Sequence, residues 1–144
     1  MELKNTPIIV KQEFNTTAEK VWEAITNPDL MRQWYFNNIP DFKTEVGFKT
    51  EFIVKSETRV FPHIWEVTEV INLKKLSYSW CFNGYEGKSI STFEISPLKD
   101  KTKLTLTASI IEKFPENIPE FKRESGVAGW NYLIKESLVA FLNK

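Results

Sequence analysis

Polar and apolar residues alternate with period two along most of the chain. In residues 8–14, Ile8, Val10 and Phe14 share one side and Lys11 and Glu13 the other, which predicts a half-buried strand. Residues 47–54 set Phe48 and Phe52 against Lys49, Glu51 and Ile53. Residues 61–71 align Trp65, Val67 and Ile71. The cleanest alternation is 76–82, with Leu76, Tyr78, Trp80 and Phe82 facing one way and Ser77, Ser79 and Cys81 the other. Residues 89–96 carry Phe93 and Ile95 on one parity, and 103–111 carry Leu104, Leu106, Ala108 and Ile110. Asn83-Gly84, Glu86-Gly87 and residues 97–101 are turn signals. Strands this close, joined by short turns, predict an antiparallel sheet.

Helical spacing marks the remaining segments. Thr16 and Glu19 read as a capping box that opens a helix with Val21, Trp22 and Ile25 on one face. Asn27-Pro28 ends it and opens a second short helix presenting Leu30, Met31 and Trp34, since proline suits the first helical position. Pro115 and Pro119 delay the last helix to 125–142, where Val127, Trp130, Ile134, Leu138 and Phe141 form a stripe widened by Leu133, Ser137 and Leu142. An apolar arc of about half the circumference is wider than that of an ordinary surface helix and predicts a concave partner. The order strand, two short helices, at least five strands, long helix is an α+β domain spanning 1–144.

Composition narrows the function. The 144 residues hold 19 Lys plus Arg and 19 Asp plus Glu, so balanced charge argues against a nucleic-acid module. One Cys and one His rule out an internal disulfide and the usual ligands of structural zinc, so neither metal nor cofactor is expected. Residues 1–7 lack the apolar core of a leader and no run approaches a membrane span, which predicts a cytoplasmic location. What stands out is the rings, 14% of the chain, with eleven Phe, four Tyr and five Trp.

Thr17-Ala18-Glu19-Lys20-Val21-Trp22-Glu23-Ala24-Ile25-Thr26-Asn27-Pro28-Asp29, followed by Trp34-Tyr35-Phe36, resembles the opening of the START-like (SRPBCC, helix-grip) superfamily. Gly129-Trp130 followed by Leu133, Leu138 and Leu142 resembles its final helix. The stretch from Trp65 through Leu76 to Trp80 and the strand 102–107 resemble the group of the heat-shock-protein-90 ATPase activator C-terminal domain. The resemblance implies a curved antiparallel sheet wrapped around the long C-terminal helix, with an internal cavity between them. It also implies a small apolar or amphipathic ligand, and an association with stress response. Three positions depart from the pattern: Trp65 replaces a frequent glycine, Gly126 a histidine and Ala108 an inward polar group. They weaken any catalytic role, and the missing N-terminal domain of the eukaryotic activator weakens a co-chaperone role.

The candidate ligand-binding residues are Trp34, Phe48, Phe52, Trp65, Val67, Tyr78, Trp80, Phe93, Leu106, Trp130 and Ile134. Rings with Tyr hydroxyl and Trp N–H handles suit an apolar pocket, and they equally suit a packed core. Glu69 shares parity with Trp65 and Val67 and is the one candidate acid or base, unless the strand bulges there. His63 beside Pro62 reads as structural or exposed, and Cys81 as an inert thiol. Gly126 and Gly129 read either as room beside the helix or as close backbone approach. Three functions follow: binding a small hydrophobic or amphipathic molecule, docking a protein partner such as a chaperone, or metal-free acid–base catalysis with Glu69 and Tyr78.

Overall fold

The computed structural model describes residues 6–56 and 59–143. Residues 1–5, part of the stretch read above as lacking a leader, lie outside that range. Strand β1 (Ile8–Phe14) leads into helices α1 (Ala18–Thr26) and α2 (Pro28–Trp34). A meander follows: β2 (Lys49–Ser56), β3 (Arg59–Ile71), β4 (Lys75–Phe82), β5 (Lys88–Pro97) and β6 (Thr102–Glu112). The six strands form one antiparallel sheet in the order β1-β6-β5-β4-β3-β2. Its curved face holds the C-terminal helix, so the predicted α+β helix-grip arrangement is the observed one.

Local chemistry explains the helix starts, with one shift from expectation. α1 is capped by Thr17, whose hydroxyl accepts from the Lys20 amide at 3.2 Å, one residue beyond the expected Thr16. The expected Thr16–Glu19 capping box gives way to this cap, and the Thr16 carbonyl accepts from the Thr102 hydroxyl at 2.8 Å. Asn27 caps α2 through the Asp29 amide at 2.9 Å with Pro28 in the first turn, as the sequence predicts. Arg32 then pins the loop after α2 by donating to the carbonyls of Ile39 and Pro40. This seats Ile39 and Phe42 in the core.

The last helix runs as α3 (Arg123–Asn131), a π-helical stretch (Tyr132–Ser137) and α4 (Leu138–Leu142). Its buried residues are Trp130, Ile134 and Leu138, spaced by four. In a regular α-helix such residues drift about 40° per step, and the wider π turn brings them back into line. Ser137 donates to the Trp34 carbonyl at 2.6 Å and Lys135 Nζ to the Lys11 carbonyl at 2.8 Å, which fixes the helix against α2 and β1. Leu133, Val139, Phe141 and Leu142 pack against the core on either side of this line, as the wide apolar arc predicts.

Two glycines give opposite expectations. Gly129 is exposed, and a Cβ there would have nothing within 4 Å. Gly87 has φ +110°, and its Cβ would lie 2.2 Å from the Phe114 ring. Gly129→Ala is expected to raise stability by up to about 1 kcal/mol. Gly87→Ala should lower it by at least about 1–2 kcal/mol from the left-handed backbone alone. Urea unfolding of both variants checks the contrast, and a stabilised Gly87→Ala would show that Phe114 does not sit on this turn.

Candidate functional site

The rings expected to enclose a ligand mostly enclose one another. Trp65 is 1% exposed and packs against Tyr35, Phe52, Tyr78 and Trp80 at centroid distances of 4.7–5.2 Å. Tyr35 and Tyr78 share a hydroxyl–hydroxyl hydrogen bond of 2.7 Å. Burial raises both phenols above their ordinary range, so each stays protonated. Trp34 donates its indole N–H to the Ala24 carbonyl at 2.7 Å. Phe52, Val67, Phe93, Leu106 and Ile134 are buried in the same core, and partly buried Phe48 packs at its margin on Phe42. These nine of the eleven candidates are packing residues, because Trp65, Tyr35, Phe36 and Phe42 fill the space in the middle of the concave face.

Two other readings are corrected by the bulge in β3. The register shifts between Val67 and Glu69, leaving Thr68 unpaired opposite β4. Parity therefore reverses: Val70 turns inward opposite Leu76, while Glu69 and Ile71 turn outward. Glu69 pairs with Lys75 at 3.2 Å with both side chains partly exposed. It is on the opposite face of the sheet from Tyr78, so no acid–base pair forms between them. His63 is buried and structural: Nδ1 bonds the Phe61 carbonyl at 2.9 Å and the ring stacks on Phe52.

One end of the concave face holds a partly open, mostly apolar cavity of about 140 Å³. The sheet supplies Ile8, Trp80, Phe82, Ser89, Ser91, Ala108 and Ile110. The final helix supplies Arg123, Gly126 and Trp130, and the connection before it Phe114, Glu120, Phe121 and Lys122. Thr6 completes the rim. Trp80 and Trp130, in T-shaped contact at 5.6 Å, are the two candidates that reach it.

The connecting segment, residues 113–122, is held as a strap. Phe114 and Phe121 join Phe61, Phe82 and Tyr85 in a second aromatic cluster. Glu120 accepts from Ser56 at 2.9 Å and pairs with Arg59 at 3.2 Å. Its own backbone amide, together with these two partners, holds its carboxyl below the usual carboxylate range. Arg123 donates to the Thr6 carbonyl at 2.6 Å, tying the start of α3 to the chain before β1. Sequence reasoning placed Phe82, Ala108 and Ile110 on inward strand faces and gave Gly126 as possible room beside the helix. It missed Phe114 and Phe121, which flank Pro115 and Pro119 and carry no periodic signal.

The sequence profile described as Activator of Hsp90 ATPase homolog 1-like protein matches residues 15–143. The chain belongs to this family. Similar solved structures include protein MLL2253 from Mesorhizobium loti, with 27% identity, TM-score 0.75 and coverage of 95% of this chain and 96% of that one. Protein Mll3558 from Rhizobium loti has 15% identity and TM-score 0.80 over 94% and 96% of the two chains. Protein CV1439 from Chromobacterium violaceum has 20% identity and TM-score 0.78 over 99% of each. No curated protein sequence matches the chain. In this activator-like domain, two of the three departures from the superfamily pattern, Gly126 and Ala108, line the cavity, and the third, Trp65, fills the centre. Among the described residues no helix is long and apolar enough to cross a membrane, and no cluster of three His, Cys, Asp or Glu side chains could hold a metal ion.

Burial lowers the His63 pKa from 6.5 to about 4 despite the bond to the Phe61 carbonyl. The unfolded chain takes up a proton near pH 6.5 that the folded chain refuses, so stability is full above that pH and falls as pH drops towards 4. Between pH 7 and 4 the wild type should lose on the order of 2–3 kcal/mol more than His63→Phe, whose carboxylates titrate equally. Denaturant titrations at stepped pH check this, and parallel losses in the two proteins would mean that His63 protonates in place.

Proposed function

We propose that this domain binds a small, largely apolar molecule about the size of one ring in the cavity beneath the strap. The observation that carries the reading is the lining: Trp80, Phe82, Phe114, Phe121 and Trp130 surround about 140 Å³ that no side chain fills. An engineered apolar cavity of about 150 Å³ takes up benzene, whereas sites for drug-sized ligands run to roughly 300–1,000 Å³. The volume therefore favours a single ring or a short branched chain over a sterol or a long acyl chain. Ligand-binding residues are Trp80 and Trp130 from the sequence-derived set, joined by Phe82, Phe114 and Phe121.

Binding is favoured over the two alternatives for stated reasons. Catalysis loses its acid–base pair with Glu69 on the outer face, and the strap carboxylate Glu120 is held by Ser56 and Arg59. A protein-docking role calls for a contiguous apolar surface. Exposed large apolar residues are instead dispersed: Ile9 and Ile53 on the two edge strands, Val60 and Ile71 at the ends of β3, Ile110 and Ile111 at the end of β6, Val46 and Leu98 in loops and Tyr132 on the last helix. A cytoplasmic location accords with this reading, as does a domain that spans the whole of 1–144.

Calorimetric titration with toluene tests it, with Trp80 and Trp130 giving a parallel fluorescence signal. The expected Kd is about 0.1–1 mM, as suits seven non-hydrogen atoms. Ala108→Phe puts a ring into the same space and should abolish binding while leaving the fold intact by circular dichroism. Toluene binding that survives Ala108→Phe, or absence of binding by the wild type, would sink the proposal.

A further inference from the structure

The cavity is not uniformly apolar. Ser91 lies on the concave face of β5, between Tyr78 of β4 and Ala108 of β6, and is 1% exposed. Its Oγ is buried in the cavity wall with no hydrogen-bond partner. A buried hydroxyl without a partner is destabilising, and native structures rarely leave one. Ala108, its cross-strand neighbour in the same wall, shows what the position accepts when no polar atom is required. Other serines of β4 and β5 are partnered: Ser77 with Thr92 at 2.9 Å, and Ser89 with the Trp80 carbonyl at 3.5 Å.

A second orphan lies beside it. Trp80 pairs with Ser89, two residues from Ser91 along β5, so Trp80 and Ser91 are diagonal neighbours within reach of one another's side chains. The Trp80 indole N–H is also buried without a partner. Trp65 shows that an indole in the packed core can share that state, so Ser91 and its place in a cavity carry the argument. Serine can donate or accept, and the indole only donates. A ligand oxygen is the group that both can satisfy.

We propose that the ligand is a single-ring compound bearing a hydroxyl or carbonyl oxygen, and that Ser91 Oγ recognises this oxygen with Trp80 Nε1 as a further donor. This rests on the cavity being a ligand site, as proposed above. The aromatic walls contact the ring, and the two polar groups set its orientation and select against the hydrocarbon of equal size.

Phenol and toluene have the same number of non-hydrogen atoms and serve as probes for wild type, Ser91→Ala and Trp80→Phe by calorimetry. Wild type should bind phenol at least as tightly as toluene, although phenol gives up more hydration. Ser91→Ala should weaken phenol about 5–10-fold and leave toluene unchanged or tighter. Trp80→Phe should lower the phenol-to-toluene ratio in the same direction. Unliganded Ser91→Ala should melt no lower than wild type, since it removes an unpartnered hydroxyl. Equal effects on both probes, or a destabilised Ser91→Ala, would overturn the assignment while toluene binding still stood. If wild type bound neither probe, the binding reading itself would fall.

Discussion

The placement of Trp65 governs the rest of the molecule. An indole in the middle of β3, on the inward side of a curved sheet, takes up the volume that the fold leaves between sheet and final helix. Tyr35 and Phe36 at the end of α2 and Phe42 in the following loop close around it, and the Tyr35–Tyr78 hydroxyl pair meets the polar needs of two buried phenols. Rings pack at interior density, so the filled centre pushes free space to its margins. One such margin lies at Trp80 and Trp130, where the cavity begins.

The strap gives that leftover space its shape. Without residues 113–122, the end of the concave face formed by Trp80, Phe82 and Ile110 would meet solvent. Phe114 seated on Gly87, Phe121 on Phe82, and Glu120 held by Ser56 and Arg59 anchor the strap to the β4–β5 turn and the β2–β3 hairpin at once. The cavity walls thus come from distant parts of the chain and depend on a carboxylate, a guanidinium and a hydroxyl at the strap's outer edge.

The strands, the two short helices and the gripping helix were legible in the sequence because period-two and helical patterns are local. The cap sits one residue later than the pattern predicts, since Thr16 and Thr17 both carry a competent hydroxyl and nothing in the local sequence separates them. Glu69 and Ile71 were assigned to the wrong face because a bulge inserts one residue without a local mark, and every later parity in the strand then inverts. Ring content and parity identify what faces inward but not what is already covered. Ile39 and Phe42, held in the core by Arg32, and Phe114 and Phe121, on either side of Pro115 and Pro119, decide that coverage, and none of them belongs to a periodic run.

The central claim is that the middle of the helix grip is full and the strap end is not. Crystals pressurised with xenon test this most directly, because xenon enters apolar voids of this size and is located without ambiguity by its scattering. A xenon peak among Trp80, Phe114, Phe121 and Trp130, with none beside Trp65 and Tyr78, is the predicted result. A peak against Trp65, or an empty strap end, would contradict it.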